Sequence, residues 1–207
     1  MKKSIDQEVL DQQKRGVLLV LTGATGAGKD ALFAKLQEKD KSMLRVITTT
    51  SRQMRPNEQE GNPYHFISRD AFEQKIAAGE FFEWVEFRGG LYGTEKKVLT
   101  DALSDGHDVI WHIDTKGVKN IKDKVKQMTK RCVFVFLTAP SLLQLEQRVK
   151  KDEGSMHRWN PSLVSWEMGQ YDDCDYLVLN DQNKLDEAVA RVYAIIQAKR
   201  SEVIKSS

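Results

Sequence analysis

The sequence predicts an α/β fold: a three-layer parallel sheet with an inserted small subdomain and a mobile lid. Three observations predict it. Short apolar strands alternate with helical patterns along most of the chain. The first strand runs straight into a glycine cluster that opens a helix. Between about residues 51 and 95 the alternation stops, and a turn-rich segment takes its place.

Residues 1–15 are polar and lack a strand pattern, so they read as a loose lead-in with some helical tendency. Val17–Thr22 is a short apolar run with the character of a buried parallel strand. Lys29–Lys39 spaces Leu32, Phe33 and Leu36 as a helix does, and the β-branched run Leu44–Thr50 reads as a second strand. The next segment holds Pro56, Asn57, Gly61, Asn62 and Pro63, then Tyr64–Ile67, a short helix near Ala71–Ala78, and a strand Phe81–Phe87 running into Gly89 and Gly90. Strands follow at Asp108–Ile113, Cys132–Leu137 and Tyr176–Leu179, with helices at Lys116–Gln127, Leu142–Lys151 and Lys184–Arg200. Asp152–Trp166 is polar, with Gly154, Ser155 and Pro161, and has the composition of a flap. The expected organisation is therefore a lead-in (1–15) and one domain (16–207). Its core is 16–50 and 95–207, its insert 51–94 and its lid 152–166.

The 207 residues are 40% hydrophobic and 30% charged, too apolar for a disordered chain. The net charge is +2, from 32 basic and 30 acidic residues, which gives no electrostatic support for a nucleic-acid partner or a polybasic membrane contact. The apolar run Val17–Leu21 is far too short to cross a bilayer, and the N-terminal stretch has no apolar segment of the secretory kind. Two cysteines, Cys132 and Cys174, suit a reducing, cytoplasmic setting. A monomer or a homodimer is expected.

The first strand leads into Gly23-Ala24-Thr25-Gly26-Ala27-Gly28-Lys29-Asp30 and then a helix. Glycines let such a loop turn its backbone N–H groups inward, and the helix adds its free N–H groups and positive dipole end. Lys29 would reach the β- and γ-phosphates of a nucleoside triphosphate. Asp30 stands where Ser or Thr is usual. A carboxylate can ligate Mg2+ and brings a charge, so strict magnesium dependence is expected; the alternative is that Asp30 only caps the helix.

Downstream, Arg52 and Arg55 follow a strand end, and Tyr64 lies nine residues beyond the second. Arginine forks suit a phosphate monoester, and tyrosine hydroxyls can complete its ring of donors. Further on come Gly79-Glu80-Phe81-Phe82-Glu83-Trp84 and Tyr92-Gly93-Thr94, and Asp114 ends an apolar strand, where open α/β sheets bind ligands.

Together with the phosphate loop, the run from Thr48 through Arg52, Arg55, Gly61 and Tyr64 to Phe66, then Glu83-Trp84, Tyr92-Gly93-Thr94 and Asp114, resembles the guanylate kinases. The resemblance spans about Val17 to Lys199. It implies ATP-dependent phosphorylation of GMP and dGMP with Mg2+, and an insert that binds GMP. On that basis Gly23 through Asp30 and Asn180 would bind ATP, with Asp30 on the metal. Arg52, Arg55, Tyr64 and Tyr92 would hold the GMP phosphate, and Thr48, Glu83, Thr94 and Asp114 would face the guanine. Lys29, Arg52, Arg148 and Arg158 would serve the transferring group.

The chain departs from that family at several positions. Asn57 replaces a glycine, His112 replaces an acidic residue, and Ser162–Met168 has no basic residue where one is expected. His65, His107 and His157 read as surface or loop residues and His112 as structural. Trp111 and Trp166 read as packing groups. Asp114 could instead cap the following helix. Two rival functions remain at this point. A ribose 1,5-bisphosphate phosphokinase also carries G-K-D but needs no guanine pocket. A non-catalytic guanylate kinase-like binding module usually degrades the phosphate loop, which is complete here.

Overall fold

The computed structural model describes residues 16–54, 58–87, 89–152, 156 and 159–202. In chain order the first elements are β1 (Leu18–Gly23), α1 (Lys29–Lys39), β2 (Leu44–Arg45), β3 (Thr48–Thr50), β4 (Gln59–Glu60) and β5 (Pro63–Phe66). Then come α2 (Arg69–Ala77), β6 (Phe81–Phe87), β7 (Gly90–Glu95), α3 (Lys96–Ser104), β8 (Val109–His112) and α4 (Thr115–Met128). The chain continues with β9 (Cys132–Thr138), α5 (Leu142–Lys151), α6 (Pro161–Met168), β10 (Tyr176–Leu179) and α7 (Leu185–Ser201).

Five strands form a wholly parallel sheet in the order β10-β9-β1-β8-β2. β1 is buried along its whole length because strands cover both its edges and helices both its faces. Its side chains alternate between two cores, as a strand's period of two requires. Leu19 and Leu21 join Val133, Val135 and Leu137 of β9 under α1 and α7; Leu18 and Val20 join Phe134 under α4. At the N-terminal edge of the strands, Asp108 accepts the Val17 N–H at 2.9 Å and pairs with Arg200 of α7 at 2.6 Å. All five C-terminal strand ends therefore face the opposite edge, where crevices for ligands form.

The second sheet is mixed and runs β4-β5-β3-β7-β6, from Thr48 to Glu95. Its own small core stacks Phe72 of α2 on Phe81 with ring centroids 4.3 Å apart, beside Leu91. The two sheets are joined through β2–β3 and through β7–α3. A hydrogen bond also crosses between them, from Trp111 Nε1 on β8 to the Thr94 hydroxyl on β7 at 2.9 Å.

Three sequence expectations need correction. The run Leu44–Thr50 is not one strand. β2 pairs with β8 in the parallel sheet, Val46 N–H still bonds to the Ile110 carbonyl, and β3 then pairs with β5 and β7 in the other sheet. Helix α3 was not expected, although Val98, Leu99, Ala102 and Leu103 have helical spacing and pack on the second core. Within the expected flap, residues from Pro161 onward are the helix α6, with Asn160 accepting the Leu163 N–H at 3.0 Å and proline in the first turn. No helix among the described residues is long and apolar enough to cross a membrane.

Candidate active site

The loop from Gly23 to Asp30 turns from β1 into α1. Gly26 and Gly28 have left-handed φ of 83° and 88°, which strains any residue bearing a Cβ. Space forbids one as well. A Cβ on Gly26 would stand 2.8 Å from the Leu145 carbonyl oxygen, and one on Gly28 2.8 Å from Asn180 Nδ2. Lys29 Nζ donates to the carbonyls of Gly23 at 2.7 Å and Ala24 at 3.0 Å, so it lies over its own loop. Ala24 is buried beneath the loop, while Gly23, Thr25, Gly26, Ala27, Gly28, Lys29 and Asp30 line a cleft of about 650 Å³.

The opposite wall comes from the second sheet. Arg52 leaves the end of β3 and lies over the rings of Tyr64 and Phe66, 5.4 Å from each centroid. Its fork holds Glu58 through two bonds of 2.7 and 2.8 Å, and its buried Nε has no partner among the described residues. Tyr64 and Tyr92 meet edge to face at 5.8 Å. Burial first, then the neighbouring Tyr92 and Asp30, pushes the Tyr64 phenol up to about 12, so it stays a hydrogen-bond donor at neutral pH. Thr48, Arg52, Tyr64 and Tyr92 all line the same cleft as the glycine loop.

Deeper in, Glu83 on β6 pairs in register with Thr94 on β7, and the Thr94 hydroxyl donates to Glu83 Oε1 at 2.8 Å. Burial pushes the Glu83 carboxyl up to about 7, with the charge of Asp114 adding to it and the bonds from Thr94 opposing it. Gly93 is needed between them, since a Cβ there would lie 2.9 Å from the Glu83 carbonyl oxygen. Asp114 lines the cleft and also caps α4, accepting the Lys116 N–H on Oδ1 at 2.9 Å. Both readings of Asp114 open at the sequence level are thus compatible in one side chain, since the cap uses one oxygen. Thr94 is buried behind Glu83 and does not line the cleft itself.

Between the two walls stand Asp30 and His112. Asp30 pairs with Arg45 at 2.9 Å. The Asp30 side chain is 72% exposed, open to the cleft; the crowding of the cleft walls works to raise its carboxyl, but the positive groups around it hold it below its ordinary value. At neutral pH that work falls to Arg45 and Lys29. His112 is itself pushed down to about 3, by burial first and by Lys29 second, and stays uncharged. No group of three or more His, Cys, Asp or Glu side chains gathers for a metal among the described residues. One ionised carboxylate beside a phosphate cradle nevertheless fits Mg2+, which binds through one or two carboxylates and substrate phosphates.

The third wall belongs to α5 and α6. Arg148 lines the cleft; its Nη2 donates to the Asn180 carbonyl at 2.7 Å, and its buried Nη1 has no partner among the described residues. Asn180, expected beside the nucleotide, is buried, and its amide donates to the Ala27 carbonyl at 2.9 Å, so it braces the loop from behind. Arg55, Arg158, Gly154, Ser155 and His157 lie outside the described residues.

Sequence reasoning missed four residues here. Glu167 on α6 is 4% exposed, and its carboxylate accepts from the Thr25 N–H at 2.7 Å and the Thr25 hydroxyl at 3.3 Å. Glu58 holds Arg52, Arg45 holds Asp30, and Trp111 holds Thr94. Each contact joins residues far apart in the chain or across an irregular turn. The only signal available was an unusual residue, Asp30, that called for a counter-charge.

A parallel sheet with a glycine loop after its first strand, facing a small second sheet across one cleft, defines the phosphate-loop kinase class. The guanylate kinase sequence family matches residues 15–199. Guanylate kinase of Carboxydothermus hydrogenoformans is 36% identical over 189 residues, covering 90% of each chain. That of Idiomarina loihiensis is 35% identical over 193 residues, covering 91% of this chain and 89% of the relative. The crystal structure of guanylate kinase from Anaplasma phagocytophilum superposes with a TM-score of 0.72 at 25% identity, covering 91% of this chain and 88% of that one. The chain belongs to the guanylate kinase family.

Proposed function

We propose that this chain transfers the γ-phosphoryl group of ATP to GMP and dGMP, releasing ADP with GDP or dGDP, in the cytoplasm. The observation that supports it best is one cleft of about 650 Å³ in which a phosphate loop faces both an arginine–tyrosine cluster and two carboxylates. A phosphate loop alone would serve many enzymes. The second anion site and the carboxylate pair suit a nucleotide acceptor whose base offers N–H donors, as guanine does at N1 and N2. The same pair disfavours a ribose bisphosphate, which has no base to read.

In this reading the N–H groups of Gly26, Gly28, Lys29 and Asp30 and the Lys29 ammonium hold the donor phosphates, while the Ala27 N–H is spent on the Ala24 carbonyl at 3.1 Å. Asp30 would hold Mg2+, and the metal would supply positive charge against the donor phosphates. Arg52 gives up Glu58 for the acceptor phosphate, Arg55 joins it there, and Tyr64 and Tyr92 donate to it. An acceptor oxygen, already ionised, forms the new bond to the γ-phosphorus as the bond to the β-bridging oxygen breaks, so no general base is needed. Arg148 and Arg158 neutralise the charge that passes between the two sites. The segment 152–166 closes as a lid, since a kinase must keep water from the γ-phosphoryl group.

The experiment is ADP release with ATP, Mg2+ and a panel of GMP, dGMP, AMP, UMP and ribose 1,5-bisphosphate. Turnover is expected with GMP and dGMP. Turnover confined to ribose 1,5-bisphosphate, or none with any acceptor, would overturn the proposal.

A further inference from the structure

A hydrogen-bonded chain runs from the core of the parallel sheet to the guanine-facing carboxylate. Trp111 on β8 is fully buried, and its Nε1 donates to the Thr94 hydroxyl at 2.9 Å. Thr94 is also fully buried, and its hydroxyl donates to Glu83 Oε1 at 2.8 Å. An indole N–H can only donate, and a hydroxyl has one proton. With the indole aimed at the Thr94 oxygen, that proton points to Glu83. The reverse direction, with Glu83 protonated and donating to Thr94, would leave the threonine proton without a partner in a buried site, which costs stability. Phe82 packs edge to face on the Trp111 ring at 5.7 Å and holds the indole in place.

We propose that Trp111 is a positioning residue for Glu83: its indole N–H turns the Thr94 proton onto Oε1, which favours the ionised carboxylate and leaves Oε2 as the acceptor for the base. Oε2 is the oxygen on the Gly117 side, 4.0 Å from where a Cβ on that glycine would stand, and both residues line the cleft. The proposal rests on the reading of Glu83 as the guanine acceptor. The other titratable groups lining the cleft are Lys29 and Asp30 on α1, Arg52 and Glu58 between β3 and β4, Tyr64 on β5, Tyr92 on β7, His112 on β8, Asp114 before α4, Arg148 and Asp152 at the end of α5, and Glu167 on α6. Of these, the charge of Asp114 acts on Glu83 and raises it, and the Thr94 bonds oppose that rise. Trp111 acts by keeping the opposing bond aimed.

The test uses the whole protein with 15N-labelled tryptophan, of which there are 4. In a pH titration without nucleotide, the Trp111 indole N–H resonance, assigned by its loss in Trp111→Phe, should move with a midpoint near 7, where Glu83 titrates. Thr94→Val, which keeps the shape and removes the hydroxyl, should abolish that movement, and Thr94→Ser should restore it. In kinetics, Trp111→Phe and Thr94→Val should each raise KM for GMP while leaving KM for ATP in place. Each should move the midpoint of the KM–pH curve up by about one unit, with the double variant shifting no more than Thr94→Val alone. If none of the four indole resonances of the wild type moves with pH across this range, the relay is overturned whether or not Trp111→Phe folds. Additive midpoint shifts would overturn it too. A titrating indole in an enzyme whose KM for GMP ignores pH would keep the relay and overturn the guanine reading instead.

Discussion

The two walls of the cleft are built by different rules. The donor wall is eight consecutive residues, Gly23 to Asp30, between one strand and one helix. Its proposed ligands are mostly backbone N–H groups, so glycine and geometry decide it. The acceptor wall is collected from β3, β5, β6, β7 and the end of β8, and its proposed ligands are side chains held by other side chains. Backbone donors recognise any phosphate. Side-chain acceptors, tuned by burial and by partners such as Thr94, can tell one base from another. Generic chemistry is therefore local in the chain, and specific chemistry is dispersed.

That contrast can be broken first on the donor side. Lys29→Ala should lower kcat by about 10²–10³-fold or more, as loss of a charge aimed at the transferring group does. Its melting temperature should stay close to wild type, because the ammonium bonds to the carbonyls of its own loop. Steady-state rates and a thermal melt decide it. Near wild-type turnover in the folded variant would remove the donor wall.

On the acceptor side, Arg52→Ala should raise KM for GMP and AMP by a similar factor, about 10–100-fold, since a phosphate contact carries no base information. It should also destabilise the protein by about 1–3 kcal/mol, because Glu58 loses its two charge-assisted bonds. Arg52→Ala with Glu58→Gln should recover part of the stability and none of the KM. Unequal effects on the two nucleotides would blur the separation of phosphate and base sites.

Much of the fold and half of the site were legible in the sequence for the same reason that the walls differ. β1, β9 and α5 were readable because buried parallel strands are continuous apolar runs and helices repeat with their own period; β10 was readable as an apolar run although it is an edge strand exposed at three of its four positions. The loop was readable because its eight residues are adjacent. Leu44–Thr50 misled because nothing local says that a chain changes sheets after Val46; the pairing of Thr48 with Tyr64 and of Arg45 with Ile110 decides it. Arg52 could be proposed as a phosphate ligand from its place after a strand end, while Glu83 gained its role only through a family resemblance. Their holders, Glu58 and the Thr94–Trp111 pair, could not be named at all, because those contacts exist only after the second sheet folds.

A smaller effect sharpens the metal question. Asp30→Ser should keep most activity and shift the magnesium titration, since a neutral hydroxyl replaces a carboxylate now paired with Arg45. An unchanged titration would reduce Asp30 to a helix-end charge. Smaller still, Glu83→Gln should raise the melting temperature near pH 8 and leave it alone near pH 5. A carboxyl whose folded value is raised favours the folded state while protonated. That contribution is full below its ordinary value of 4.5 and is lost as pH rises through about 7. Melts at the two pH values check the sign.

The most direct measurement is the ratio of kcat/KM for GMP to that for AMP, taken against pH in wild type and Glu83→Gln. AMP carries the same phosphate, so the ratio cancels the titration of the phosphate and reports the base alone. Ionised Glu83 accepts from guanine N–H groups and faces a lone pair on adenine. A site built on such bonds discriminates by roughly 10⁴-fold. The account predicts a ratio near that size above pH 7, falling as pH drops through about 7, where Glu83 takes up a proton. In Glu83→Gln the ratio should be small and flat with pH. Equal use of GMP and AMP by the wild type, or a ratio that survives Glu83→Gln unchanged, would contradict the account.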